Sequence, residues 1–206
     1  MDVFCLQEVF KAHSIEVAED FLDTPRKVEK ILGQGYSYIT DNNGLMICYK
    51  SHHTIKDHGI IETFCLEGFK KNLLWILISV NNKEYLVATT HGIWVKNNKS
   101  DTSERLNQSQ IIKSFFDRFD SGKILTGDFN LLPNTESIRI LEQNMVNLIK
   151  KNSLISTRTR LKTYTDLDMK VAGFADYVFV SLDISVLDFK VLPDEVSDHS
   201  SLFLEC

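Results

Sequence analysis

Polar residues of a few chemical types recur where apolar runs stop. Glu8 ends the run Asp2–Glu8, and His91 follows Thr89-Thr90 at the end of another. Asp128 and Asn130 belong to Gly127-Asp128-Phe129-Asn130, Asp176 opens Asp176-Tyr177-Val178-Phe179, and Asp198-His199 precedes Ser200–Glu205. The set comprises three aspartates, one glutamate, two histidines and an asparagine. Carboxylates drawn together repel unless a cation sits among them. Oxygen ligands without a cysteine or multi-histidine cluster favour Mg2+ or Mn2+ over a structural zinc. A hard cation with histidines suits phosphoester hydrolysis, because the metal neutralises phosphate charge while a histidine or aspartate activates water.

The elements that would hold these residues can be read from the pattern of apolar positions. Asp2–Glu8 suits a buried strand that delivers side chains at its end. Residues 14–32 have helical spacing in two pieces, broken near Thr24-Pro25, with Gly33 and Gly35 as stop signals. Residues 36–40 and 45–50 flank the turn signal Asp41-Asn42-Asn43-Gly44, and Leu73–Val80 with Tyr85–Thr90 read as a second hairpin. Asp101-x-x-Glu104 resembles a capping box opening a helix through Phe119, and Asn134 a cap for a helix to about Asn144. Lys123–Phe129, Ala175–Ser181, Ile184–Leu192 and Ser200–Glu205 read as strands. Residues two apart in a strand share a face, so Asp128 and Asn130 can converge while Phe129 enters the core. Hairpins mixed with crossover helices indicate an α/β sandwich with antiparallel or mixed sheets.

Composition narrows the class. The chain has 206 residues and a net charge of −5, so bulk positive charge does not grip nucleic acid. Hydrophobic residues at 43% with only 3 prolines exclude a disordered chain and suit one domain, 1–206. Leu73–Val80 is the longest apolar stretch, far short of the roughly 18–20 residues that cross a bilayer. No cationic signal peptide opens the sequence, and the four scattered cysteines read as thiols. A cytoplasmic monomer is expected.

Leu6-Gln7-Glu8, Thr90-His91, Gly127-Asp128-Phe129-Asn130, Asp176-Tyr177 and Ser197-Asp198-His199 come in the order found in the endonuclease/exonuclease/phosphatase superfamily. The chain resembles its members over almost its whole length. The resemblance implies the DNase I-like fold, a four-layer α/β/β/α sandwich of two mixed, mostly antiparallel sheets flanked by helices. It also implies a Mg2+- or Mn2+-dependent phosphoesterase, with Glu8 as principal metal ligand and Asp198 as a second metal-side or water-orienting carboxylate. Asp128 and Asn130 would orient the attacking water and the phosphoryl oxygen. Asp176 would hold His199 as in a histidine–aspartate dyad. His199 would be the general base or a phosphate contact, and His91 a second histidine at the phosphate or leaving group. Arg105 matches more loosely, as a substrate-binding arginine that some members carry. The substrate is left open among small phosphodiesters, sugar or inositol phosphates, and nucleic acid. A catalytically silent phosphate-binding module is the competing reading, and the full acid/base set favours the enzyme.

One departure concerns the start. Members usually carry an asparagine-bearing strand ahead of the Leu-Gln-Glu segment, whereas Glu8 here follows Met1 by seven positions. An upstream extension of roughly 25–40 residues is therefore expected. Other residues are set aside. His52-His53 on a strand would point opposite ways and reads as a solvated pair, while His13 and His58 lack partner spacing. Lys150-Lys151 with Arg158, Arg160 and Lys162 reads as a solvated basic face, and Trp94 and Tyr164 as core or rim packing.

Overall fold

Val3, Phe4, Cys5 and Leu6 begin a strand that carries Glu8 near its end. A computed structural model describes residues 1–10, 24–161 and 173–206, and these divide into two compact units, Met1–His91 and Gly92–Cys206. The first part of the helix expected over 14–32, His13, Lys162 and Tyr164 lie outside the described residues.

The first unit contains β1 (Val3–Val9), α1 (Thr24–Leu32), β2 (Tyr36–Thr40) and β3 (Gly44–Lys50). β3 pairs antiparallel with both β1 and β2. The β2–β3 turn closes because Asp41 Oδ1 accepts the backbone N–H groups of Asn43 and Leu45, each at 2.8 Å. Val9, Met46 and Cys48 form a core with Phe4, Leu6, Val28, Leu32 and Tyr38 packed on it. β4 (Thr54–Leu66), β5 (Phe69–Val80) and β6 (Lys83–His91) form a second antiparallel set. β4 escapes the sequence pattern for a physical reason. Lys56, Asp57, His58 and Glu62 interrupt its apolar residues, and register shifts at Ile55/Asp57 and Glu62/Phe64 break the alternation.

The second unit contains α2 (Ser103–Phe116), β7 (Gly122–Asp128), α3 (Glu136–Leu141), β8 (Met145–Asn147), α4 (Leu148–Lys151), β9 (Asp176–Ser181), β10 (Asp188–Val191) and β11 (Leu202–Glu205). β9 pairs with β7 on one side and β8 on the other, both antiparallel, and all six of its residues are buried. That burial explains its near-continuous apolar run. β10 pairs with β11, and Leu202 and Leu204 pack toward Leu148, Val178 and Val180.

The helix caps differ from the expected ones. Thr102 caps α2, its Oγ1 accepting Arg105 N–H at 3.3 Å. Asp101 instead accepts the N–H groups of Glu136 at 2.7 Å and Ser137 at 2.9 Å, at the start of α3. Thr135, not Asn134, is the α3 cap residue. Among the described residues no helix is long and apolar enough to cross a membrane.

Candidate active site

β7 and β9 bring two carboxylates face to face. Their antiparallel register pairs Asp128, the last residue of β7, with Asp176, the first of β9. Like charges directly opposite on neighbouring strands are unfavourable without a compensating cation or proton. Between Asp128 and Asn130, Phe129 packs in the core against Tyr177 and Phe179.

His199 supplies the third group. Its Nδ1 lies 3.0 and 2.9 Å from the two Asp176 carboxylate oxygens; a carboxylate only accepts, so Nδ1–H donates to it, and in the neutral ring Nε2 then has the lone pair. Nε2 is 3.8 Å from Asp128 Oδ2. One ligand atom each from Asp128, Asp176 and His199 lie within 4.8 Å of one another. Desolvation pulls the His199 imidazole down. The hydrogen bond and charge of Asp176, with Asp128, outweigh it, so the group titrates above the usual histidine value. Burial raises the Asp176 carboxyl, the His199 hydrogen bond opposing and the Asp128 charge adding.

Asn130 stands with positive φ, at 53°, in the left-handed region that asparagine tolerates. Its backbone N–H donates to Asp128 Oδ1 at 2.9 Å. The side-chain Nδ2 is buried and has no hydrogen-bond partner among the described residues. A buried, unpaired amide donor two residues after Asp128, with the cluster of Asp128, Asp176 and His199, fits a centre that takes a divalent cation and a phosphoryl oxygen.

In the first unit, Glu8 is exposed and sits at φ 60°, where β1 shifts register between Leu6 and Val9. Bulges of this kind re-aim side chains, and a non-glycine residue in the left-handed region is held there by its surroundings. Gln7 Nε2 donates to Thr89 Oγ1 at 2.7 Å, tying the end of β1 to β6 two residues before His91. His91 ends β6 and is half-buried.

Two expected site residues make contacts of their own. Arg105 is 1% exposed, and its guanidinium donates to the carbonyls of Ile93, Asn98 and Ser100 at 2.6–3.0 Å. It braces the segment after β6. Trp94, on that braced segment, is 63% exposed. Asp198 is not one of the three converging groups, and its Oδ2 lies 3.0 Å from Arg158 Nη1.

Arg158, Thr157 and Lys99 are the residues that sequence reasoning missed. The Arg158 side chain is only 9% exposed, and its backbone bridges to His199. Thr157 Oγ1 accepts the N–H groups of Ala175 and Asp176, each at 3.1 Å, so one short segment fixes both halves of the dyad. Lys99 Nζ donates to the Phe174 carbonyl. Desolvation pushes its amine down to about 8, with Arg158 adding and Asp128 and Asp176 opposing. Arg158→Met is expected to lower the melting temperature by about 2–6 °C, read by circular dichroism, since it leaves Asp198 without its cation. An unchanged melting curve would show that the pair does not hold the loop.

The sequence profile of the Endonuclease/Exonuclease/phosphatase family matches residues 1–199. The chain belongs to that family. With it comes membership of a class of hydrolases that act on phosphate esters. No curated protein matches the chain in sequence. Among solved structures, the mannosyl-6-phosphatase Bt3783 of Bacteroides thetaiotaomicron superposes with a TM-score of 0.74 at 18% identity, covering 99% of this chain and 84% of that one. Humanized D. rerio TDP2 gives 0.73 at 15% identity, with 98% and 84% covered. The human Nocturnin catalytic domain with bound sulfate gives 0.65 at 18% identity, with 99% and 81% covered. These likenesses establish the DNase I-like α/β fold that the endonuclease/exonuclease/phosphatase motifs implied.

Proposed function

We propose that the chain is a Mg2+- or Mn2+-dependent phosphoesterase in which His199, oriented by Asp176, activates the attacking water. The observation that carries this reading is the Nδ1 contact with both Asp176 oxygens, which leaves Nε2 as a proton acceptor beside Asp128. Water gives its proton to His199 Nε2 as its oxygen attacks phosphorus and the P–O bond to the leaving group breaks. Asp176 keeps the Nδ1–H tautomer and stabilises the imidazolium that forms. Asp128 accepts from the water, and Asn130 Nδ2 donates to a phosphoryl oxygen. A divalent ion, when bound, supplies charge neutralisation at the phosphate.

The family motif assigns Glu8 to holding the cation and His91 to the phosphate or leaving group. Glu8→Gln removes that negative charge with little change of shape. It is expected to raise the Mg2+ concentration needed for half-maximal hydrolysis by ~10-fold or more without altering the fold. Hydrolysis of bis(p-nitrophenyl) phosphate and p-nitrophenyl phosphate with Mg2+, Mn2+ or EDTA tests the whole reading. Metal-dependent turnover supports it. Phosphate binding without turnover in any metal would instead establish the silent binding module. One solved relative is a mannosyl-6-phosphatase and another is TDP2 complexed with a single-strand DNA product. Sugar phosphates and single-stranded nucleic acid are therefore the first substrates to test.

A further inference from the structure

The turn between β3 and β4 gathers a second set of ligand-type side chains, wholly within Met1–His91. Adjacent residues on a strand would diverge. Residues 51–53 instead form a turn, and the His52 and His53 rings lie with centroids 4.3 Å apart. His53 N–H donates to Lys50 O at 3.0 Å, closing the turn. His53 Nε2 lies 3.0 Å from Asp2 Oδ1. Asp2 is itself fixed, because its carbonyl accepts Lys50 N–H at 3.0 Å as β1 and β3 pair.

One ligand atom each from Asp2, His52 and His53 fall within 4.8 Å of one another. The His53 side chain is 8% exposed, so packing holds its ring, whereas Asp2 at 52% stays open to an ion arriving from solvent. Two imidazole nitrogens and one carboxylate oxygen form a borderline donor set. It suits Zn2+, Co2+, Ni2+ or Cu2+ better than Mg2+. Tetrahedral zinc bonds of ~2.0–2.1 Å put donors about 3.3 Å apart, so the set has to close by at most about 1.5 Å. The exposed side chains of Asp2 and His52 can supply that movement. The fourth position would be left to water.

We propose that Asp2, His52 and His53 bind a transition-metal dication, zinc being the best fit, which clamps the start of β1 to the β3–β4 turn. Lys50 is the internal competitor. Its Nζ lies 3.1 Å from Asp2 Oδ1, the same oxygen that His53 meets, and holds positive charge where the ion would add its own. The His53 hydrogen bond comes first, ahead of opposing burial and the Lys50 contact, in keeping the Asp2 carboxyl below its usual range.

Four-coordinate Co2+ absorbs far more strongly in the visible than six-coordinate Co2+ in an oxygen-rich site, so its intense d–d band reports this site apart from the proposed hydrolytic centre. The metal-stripped protein is titrated with Co2+ and then with Zn2+ in competition, alongside His52→Ala, Asp2→Asn and Lys50→Met. The His52 and Asp2 side chains are exposed, so these variants fold, as circular dichroism checks. Each is expected to weaken Co2+ binding at this site by at least ~10-fold. Lys50→Met is expected to tighten it. Mg2+-dependent hydrolysis should be the same in all four proteins. Unchanged Co2+ affinity in either His52→Ala or Asp2→Asn overturns the site, as does weaker binding in Lys50→Met. The cluster would then be only an ion pair with a neighbouring histidine.

Discussion

His199→Ala and Asp176→Asn are each expected to lower kcat for a p-nitrophenyl phosphodiester by ~10^2–10^4-fold, with the double variant little worse than either. Alanine deletes the proton acceptor. Asparagine keeps the shape but removes the carboxylate that takes Nδ1–H at 2.9–3.0 Å, so the imidazole is free to choose the wrong tautomer. Because the two act as one device, their losses should not multiply. Independent, multiplicative losses measured at saturating Mg2+ would dissolve the dyad. The pH profile gives a second check. Desolvation depresses the His199 imidazole, but Asp176 and Asp128 raise it more. The acid limb of kcat/KM should therefore fall above the ordinary histidine value of about 6.5 and move down in Asp176→Asn. Stability follows with the sign fixed by the raised folded value. The contribution of His199 is whole below the unfolded pKa and fades as pH climbs through the folded one.

Gly92→Ala is the second large effect, and it acts on the backbone. Gly92 N–H donates to the Asp128 carbonyl at 2.6 Å, which brings the two chains too close for a side chain. A Cβ there would stand 2.7 Å from the Phe129 carbonyl carbon and 2.9 Å from its Cα. Those atoms belong to the backbone between the two residues that Phe129 separates, so no rotamer can relieve the clash. A loss of about 2–4 kcal/mol is expected, which lowers the melting temperature by roughly 5–15 °C for a chain of this size. Hydrolysis should drop with it, since Asp128 and Asn130 must shift. A variant melting within about 2 °C of the parent would show that the close approach relaxes at little cost.

The parts of the site legible in the sequence are those set by strand alternation. Asp128 ends its strand with Phe129 packed in the core beside it, and Asp176 opens a strand whose apolar run announces its burial, whereas Asn130 lies past the strand in the left-handed region. What stayed hidden depends on contacts between distant segments. Arg158 looks like one member of a solvated basic stretch until its partner Asp198, forty residues on, is seen beside it. Arg105 has the sequence of an exposed helical cation, yet the carbonyls of Ile93, Asn98 and Ser100 hold it inside. Asp101 fits a capping box for the helix it precedes, but α3 lies within reach and its N–H groups take the carboxylate instead. β4 hides for another reason, since its bulges erase the periodicity by which strands are read.

The pairing of Asp128 with Asp176 bears on how a lineage built on this chain can diversify. A single inserted or deleted residue in β7 or β9 would exchange the two faces of that strand. It would carry Tyr177 or Phe129 to the carboxylates' position and put a charge into the core. Length changes are thereby barred from the strands that carry the chemistry. They are tolerated where the chain only has to return, as in the exposed stretch 193–196 that leads back toward His199. New substrates would come from loops of altered length and surface, laid over two strands whose residue count cannot change.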